Sequence, residues 1–339
     1  MNSQQEQQLI GESQAILGVL EHVSRVAPLN RPVLVIGERG TGKELIAARI
    51  HYLSSRWDRP FVKLNCAALT ESLLESELFG HEAGSFTGAT RRRLGRFELA
   101  NQGSLFLDEL SSTSDRVQEK ILRVIEYGEF ERVGGSETIK TNVRIIGATN
   151  EDLPALVELA QFRADLLDRL AFDVITLPPL RERRDDILPM AEHFAVKMCG
   201  ELGRQLFPGF GSKAREQLLD YPWPGNVREL KNVIERAVYT SAGVDEPIGA
   251  IVFDPFHSPW RPQPRSIDGA EQKVHALPDG PYNFKDHLQQ LEIEHLQSAL
   301  KQCRYNQKKT AEFLGMTYHQ LRGYLRKYEL TDGDNEDEA

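Results

Sequence analysis

Cysteine is scarce in this 339-residue chain, and Cys66, Cys199 and Cys303 stand far apart without a C-x-x-C pair. That odd, scattered set argues against a disulfide framework or a zinc site and for reduced packing residues. Long apolar runs are missing too: none approaches the roughly 20 residues of a membrane span, and the opening Met1 to Gln8 is polar rather than signal-like. The expected location is the cytoplasm. A net positive charge is also lacking, and the value of −9 would normally count against a nucleic-acid partner. The sum, however, hides a basic segment near the C-terminus. One core usually stops growing at roughly 250 to 300 residues, so two or three folding units are expected.

What is present is organised around Val33-Leu-Val-Ile-Gly-Glu-Arg-Gly-Thr-Gly-Lys-Glu44, an apolar strand running into a glycine-rich turn and a helix start. The pattern G-x-x-x-x-G-K is intact from Gly37 through Glu38, Arg39, Gly40, Thr41 and Gly42 to Lys43. Gly37, Gly40 and Gly42 let backbone N–H groups approach an anion, the helix aims its positive end at the same place, and Lys43 adds a mobile charge for outer phosphates. Glu44 stands where many such loops carry the Ser or Thr that ligates magnesium, so the metal needs another protein ligand. Gly103-Ser-Leu-Phe-Leu-Asp-Glu109 supplies one: a buried strand ends in Asp108, placed to hold magnesium, and Glu109, placed to polarise the water attacking a γ-phosphate. Pro60 to Cys66 reads as a strand ending in Asn65, and Val143 to Asn150 as one ending in Thr149 and Asn150. Such polar strand ends fit a ligand site at the carboxyl edge of a parallel sheet.

Around this centre, Ile10 to Val26 has near-helical apolar spacing. With only nine residues before it, sensing through an N-terminal domain is not expected. Glu77 to Thr90 is a glycine-rich loop with Phe86 at its tip and Gly84 and Gly88 as hinges, a mobile surface loop or a protruding contact element that moves with nucleotide. Trp57 lies in a polar turn, half-packed or a partner contact. Phe162 to Leu170 carries Arg163 and Arg169, explained by surface ion pairs or by charge supplied to a neighbouring subunit's phosphate. From Leu177 the character changes to helix, and Pro224 to Arg236 spaces Val227, Leu230, Val233 and Ile234 helically, with Asn226 as cap and Arg228 in the first turn.

Together Gly37 to Glu44, Glu82-Ala-Gly-Ser-Phe-Thr-Gly-Ala89, Leu105-Phe-Leu-Asp-Glu109, Phe162-Arg-Ala-Asp-Leu-Leu-Asp-Arg169 and Trp223-Pro-Gly-Asn-Val-Arg-Glu-Leu230 resemble the AAA+ domain of bacterial enhancer-binding proteins, the ATP-hydrolysing activators of sigma-54 RNA polymerase. The resemblance implies that Lys43 holds phosphate, Asp108 magnesium and Glu109 the water, with Asn65 as a switch restraining Glu109. It makes Thr149 the first sensor, Arg228 the second, and Arg163 and Arg169 trans-acting fingers in a ring that assembles from dimers to hexamers. It also makes Gly84, Ser85, Phe86, Thr87, Gly88 and Ala89 the sigma-54 contact, where the family usually has alanine in place of Ser85. Glu44 is normal for the family. Within it, Arg56-Trp57 and the short N-terminus are most similar to activators of the phage shock operon, which implies control in trans by phage shock protein A at Trp57.

Beyond Phe253 six prolines, Pro255, Pro259, Pro262, Pro264, Pro278 and Pro281, mark a linker. Phe284 to Gln302 then reads as a helix with a stripe wide enough for a dimer partner, and Asn306 to Leu314, Gly315 and Thr317 to Tyr328 have helix-turn-helix spacing. From Lys301 to Leu330 basic residues exceed acidic ones by five. Lys308, Lys309, Thr317, Tyr318, His319, Arg322, Arg326 and Lys327 are the expected DNA contacts, with Leu321 and Leu325 facing inward. This end resembles the Fis-type module of the same family.

The expected fold is therefore α/β: an AAA+ P-loop NTPase with a parallel-sheet subdomain (1–178) and a helical lid (179–254), a Pro-rich linker (255–283), an all-α helix-turn-helix domain (284–330) and an acidic, disordered tail (331–339). Two other readings share the ATP site: an AAA+ motor acting on different cargo, and a DNA-bound switch that senses ATP without hydrolysing it.

Overall fold

The fold is that of a computed structural model, which describes residues 9–86, 89–241, 246–256, 260–261, 283–303, 305–328 and 330. Thr87 and Gly88 of the loop, five of the six linker prolines, Arg304, Glu329 and the acidic tail lie outside the described residues. Contacts divide the chain into two units, Met1–His257 and Ser258–Ala339.

The first unit runs α1 (Gln14–Val26), β1 (Val33–Ile36), α2 (Lys43–Tyr52), β2 (Phe61–Asn65), α3 (Glu71–Phe79), the short strands β3 (Gly80–His81) and β4 (Arg93–Leu94), α4 (Arg96–Leu99), β5 (Ser104–Asp108), α5 (Asp115–Tyr127), the hairpin β6 (Glu129–Glu131) and β7 (Thr138–Lys140), β8 (Arg144–Thr149), α6 (Leu153–Glu158), α7 (Ala164–Leu170) and β9 (Val174–Thr176). Five strands form one parallel sheet in the order β2-β5-β8-β1-β9. The three central strands, β5, β8 and β1, bury nearly all their apolar residues on both faces, as crossover helices require. Leu105 and Leu107 pack with Leu78, Phe97, Ile121 and Leu166 on one side, while Val33, Val35 and Phe106 pack with Ile46 and Ile50 on the other. Registers Ile36↔Thr149 and Asn65↔Asp108 bring the polar strand ends to one edge.

Arg144 is buried at the start of β8 because its guanidinium donates to the carbonyls of Val26, Ala27 and Arg31 at 2.6 to 3.0 Å, capping the C-terminal end of α1. Burial lowers its pKa to about 10. The lid follows as α8 (Ile187–Glu201), α9 (Ser212–Asp220) and α10 (Asn226–Thr240), packed around Met190, Trp223, Leu230 and Ile234. Trp223 is wholly buried, and its indole N–H donates to Leu218 O at 2.9 Å, satisfying the one polar atom of the side chain.

The second unit holds α11 (Phe284–Gln302), α12 (Gln307–Phe313) and α13 (Tyr318–Lys327), packed on Leu296, Leu300, Ala311, Leu321 and Leu325. Asn306 caps α12, and Gly315 takes φ +65° in the turn. Thr317 caps α13 in a reciprocal box with Gln320. Among the described residues no helix is long and apolar enough to cross a membrane.

Candidate functional site

Between β1 and α2 the chain turns through Gly37 to Gly42, with φ of +80° at Gly40 and +102° at Gly42. A Cβ on Gly40 would lie 2.2 Å from Gly225 O, so the lid backbone approaches a position only glycine can fill. Lys43 Nζ donates to Gly37 O at 2.8 Å and Glu38 O at 3.4 Å. Desolvation lowers the pKa of this buried ammonium, opposed by the nearby Glu109 and Asp108 carboxylates. A cation so placed regains from an anionic ligand the stabilisation it has lost from water. Glu44 does not turn its carboxylate to this task, since Oε1 accepts from Lys63 Nζ at 2.8 Å.

Lys43, Arg39, Asp108, Glu109 and, from the lid, Arg228 line one cavity of about 370 Å³. Asp108 is the last residue of β5; Glu109 follows at φ +53° and donates its N–H to Asp108 Oδ1 at 3.1 Å. Glu109 Oε1 lies 3.8 Å from Arg39 Nε. Thr149 is buried behind the P-loop: its carbonyl accepts from Gly37 N at 3.2 Å, and its hydroxyl donates to Ser111 at 3.0 Å and accepts from Glu151 N at 3.0 Å. Leu9, Ile10, Ile16, Met190 and Phe194 line the cavity's apolar part. Asp186 of the lid pins the segment before α1 by accepting from Glu12 N, Ser13 N and Ser13 Oγ at 2.7 to 2.8 Å.

Two expectations change at this site. Asn65 is paired in register with Asp108, but its Oδ1 accepts from Ala67 N at 2.9 Å to cap a tight turn, and Glu109 faces Arg39 instead. The Asn65 restraint on Glu109 is not made in this structure. Asn226 does not cap α10: Gly225 holds that position, while Asn226 is the first helical residue at φ +53° and sends its amide to the P-loop. An asparagine just before a helical run signals a cap locally, and nothing in the local sequence announces a partner 188 positions away.

A family model described as the sigma-54 interaction domain matches residues 9–176, one described as an AAA+ ATPase lid domain matches 181–251, and one for bacterial regulatory proteins of the Fis family matches 287–328. The Psp operon transcriptional activator of Escherichia coli (strain K12) is 59% identical over 322 residues, covering 95% of this chain and 98% of that protein. The chain belongs to the sigma-54-dependent transcriptional activators. Regulatory protein AtoC of Escherichia coli is 43% identical, over 96% of this chain and 68% of its own length. The crystal structure of NtrX from Brucella abortus in complex with ATP has a TM-score of 0.68 at 34% identity, covering 95% of this chain and 70% of that one.

In this activator the glycine-rich loop is anchored at its root. Ser85 Oγ donates to Glu82 O at 2.9 Å, Gly84 N to Ala89 O at 2.8 Å, and a side chain at Gly134 would meet Ser85 Cβ at 2.5 Å. The hydroxyl at position 85 is thus accommodated by a bond of its own. Phe86 is 42% exposed, its ring edge-on to His81 at 5.0 Å. Arg163 and Arg169 do not line the cavity of their own subunit; they pair with Asp165 at 2.7 Å and Glu126 at 2.8 Å. Trp57 is 64% exposed, whereas Arg56 is buried and donates to Gly103 O, Asn142 O and Asn142 Oδ1. On α13, Arg322 and Arg326 are exposed, as are Lys308 and Lys309 on α12, His319 and the capping Thr317, with Tyr318 half-buried. The Lys327 ammonium turns back onto the Tyr328 ring and hydroxyl, 3.6 Å from Glu292 of α11.

Proposed function

We propose that this activator binds and hydrolyses ATP at the Lys43 cavity and uses the energy to open promoter DNA bound by sigma-54 RNA polymerase. The observation that carries the reading is the convergence of Lys43, Asp108, Glu109 and Arg228 on one cavity at the carboxyl edge of a parallel sheet. Gly40, Gly42 and the start of α2 cradle the phosphates, Lys43 and Arg228 counter their charge, and the apolar end takes the base. The ATP complex of NtrX, a neighbour over most of this chain, supports the ligand.

The donor set also fits magnesium, because Asp108 and Glu109 put hard carboxylate oxygens beside the phosphate cradle and magnesium needs only one or two from protein. When bound, the ion would neutralise charge on the outer phosphates, with Asp108 as its protein ligand. Glu109 accepts the proton of the attacking water as its oxygen bonds to the γ-phosphorus; the bond from that phosphorus to the bridging oxygen breaks, releasing phosphate and ADP. Thr149, bonded to Gly37 N, senses the change in the loop. Subunits assemble into a ring, expected to be a hexamer, in which Arg163 and Arg169 exchange their intrachain carboxylates for a neighbour's phosphates.

The output is the loop from Gly84 to Ala89, with Phe86 and Thr87 meeting sigma-54. The C-terminal unit holds the activator at upstream DNA, with α13 in the major groove. The Psp relative supports a role at a phage shock operon. Trp57, 64% exposed, is the surface at which phage shock protein A would act in trans. Open-complex formation on a sigma-54 promoter tests the whole reading. Wild type should open the promoter, Glu109→Ala should neither hydrolyse ATP nor open it, and Phe86→Ala should hydrolyse without opening it. Promoter opening by both variants would refute the coupling and favour an ATP-sensing switch; hydrolysis with no opening by wild type would favour different cargo.

A further inference from the structure

Lid and P-loop meet through a continuous set of bonds. Arg181 donates to both Glu38 carboxylate oxygens at 2.6 and 3.0 Å, Asn226 Nδ2 to Glu38 Oε2 at 3.1 Å and Arg39 O at 3.0 Å, Val227 N to Gly40 O at 3.0 Å, and Arg183 to Thr41 O at 3.1 Å. Four consecutive P-loop residues, 38 to 41, are therefore held by the lid. Arg181 reaches Glu38 from an exposed position, Val227 contributes its backbone, and Arg183 is buried with its Nε left unpaired. Asn226 differs in being wholly buried and in having its donors and acceptor engaged at once, since its Oδ1 also accepts from Leu180 N at 2.8 Å. One amide joins the P-loop, the connector into the lid and the first turn of α10, two residues before Arg228.

Its backbone suits only that duty. At φ +53° Asn226 occupies the left-handed region, which asparagine tolerates better than most side chains, and the amide is thereby directed at Glu38 instead of capping its own helix. The Arg39 carbonyl and the Leu180 N–H that it joins lie more than a hundred positions apart in the chain, so nothing but the folded lid presents them together. A side chain that merely filled space here would take the Asn226 partner from the Leu180 N–H and the Arg39 carbonyl, and leave Glu38 Oε2 held by Arg181 alone.

We propose that Asn226 is a positioning residue that makes the lid report the state of the P-loop, setting Arg228 against the nucleotide phosphates through its bonds to Glu38 and Arg39. The proposal rests on the ATP-binding reading above. When phosphates shift the P-loop, the Asn226 amide carries α10 with it; when Asn226 is disconnected, Arg228 no longer follows. Because Arg228 would hold phosphates in the ground state and the transition state alike, the signature is a change in KM more than in kcat.

The test is steady-state ATP hydrolysis by the full-length protein with magnesium, alongside thermal unfolding. Asn226→Asp keeps the acceptor for Leu180 N but places a carboxylate opposite Glu38. It should raise KM for ATP about tenfold, the size expected for a lost charge-assisted hydrogen bond, while kcat changes less than about threefold; the buried carboxylate should also lower the melting temperature, so the kinetics are read at a temperature where the unfolding curve shows the variant folded. Adding Glu38→Gln restores a donor facing an acceptor with the roles reversed, and the double variant should return KM to within about threefold of wild type. An unchanged KM in Asn226→Asp, or a raised KM that Glu38→Gln fails to rescue, overturns the proposal. Should Asn226→Asp not fold, Glu38→Ala at the half-exposed end of the link decides: a KM raised about threefold supports the link, and an unaltered KM overturns it. Absence of hydrolysis by wild type would refute the ATP reading itself.

Discussion

Arg132 holds Glu98 in a two-point grip, Nε to Oε1 at 3.0 Å and Nη2 to Oε2 at 2.5 Å, while its Nη1 donates to Glu82 Oε1 at 2.9 Å. The guanidinium is 4% exposed, and the hydrogen bonds it donates to Glu98, then to Glu82, raise its pKa well above the ordinary arginine value. Arg132 sits in the β6–β7 hairpin and Glu82 at the root of the Phe86 loop, where Glu82 N also donates to Val133 O at 3.1 Å. Hairpin and loop root therefore move as one piece. Arg132→Ala would leave two carboxylates facing each other and should cost about 2–3 kcal/mol of stability, the range for hydrogen bonds to charged groups. It should also lower promoter opening more than ATP hydrolysis. Chemical unfolding and the two activity assays on one preparation check both.

At the cavity, Glu109→Gln keeps shape and removes the proton acceptor. Hydrolysis should fall by roughly 10² to 10⁴, the usual contribution of a positioned base, while nucleotide binding by calorimetry stays within a few-fold. A comparable fall in affinity would mean that Glu109 holds the ligand instead of the water.

The turn carrying Trp57 separates two neighbouring residues by duty. Arg56→Ala removes three hydrogen bonds made by a buried guanidinium, leaving Gly103 O and Asn142 O with only their backbone partners Arg144 N and Gln102 N, and should destabilise the protein by about 2–3 kcal/mol. Trp57→Ala should alter stability by no more than about 0.5 kcal/mol, yet relieve repression by a protein acting in trans. Thermal unfolding with a repression assay distinguishes the pair.

The centre of the parallel sheet was legible in the sequence because each of its three central strands is an apolar run that stops at a glycine or a polar residue, Ile36 before the glycines, Leu107 before Asp108, Ala148 before Thr149. Buried parallel strands must read that way. The β6–β7 hairpin was not legible: its strands are three residues each, Glu129–Glu131 and Thr138–Lys140, and only Phe130 is buried. Arg132 was invisible for the same reason, since its meaning comes from Glu82 and Glu98, 50 and 34 positions away. Local pattern shows which residues can meet a ligand; it does not show which carboxylate an arginine will choose. Asn226 makes the same point, because its cap-like setting conceals a bond to Glu38.

Burial, with a smaller contribution from Asp108, raises the Cys66 thiol pKa to about 12. The folded protein then keeps a proton that the unfolded chain releases from about pH 9 upward. This contribution is fully present below pH 9 and is lost as pH rises toward 12. Between pH 9 and 10 wild type should lose about 1 kcal/mol relative to its own value at pH 9 in excess of any change in Cys66→Ala. Urea unfolding of the two proteins at both pH values measures that difference, in which other titrating groups cancel.

On α13, Arg326 and Lys327 are adjacent in sequence but differ in surroundings. Arg326 is exposed beside the buried Leu325, whereas the Lys327 ammonium lies 4.4 Å from the Tyr328 ring centroid and within ion-pair distance of Glu292 on α11. A charge already neutralised by its own fold releases little counterion when DNA arrives; an uncompensated one releases nearly a full ion. Arg326→Ala should therefore weaken operator binding and reduce the magnitude of the log Kobs against log salt slope by about 0.9, and Lys327→Ala should reduce it distinctly less. Binding isotherms at several salt concentrations give both slopes. Equal reductions would mean that the tie from Lys327 to Glu292 opens on the duplex, and an unchanged slope for Arg326→Ala would mean that Arg326 does not meet a phosphate.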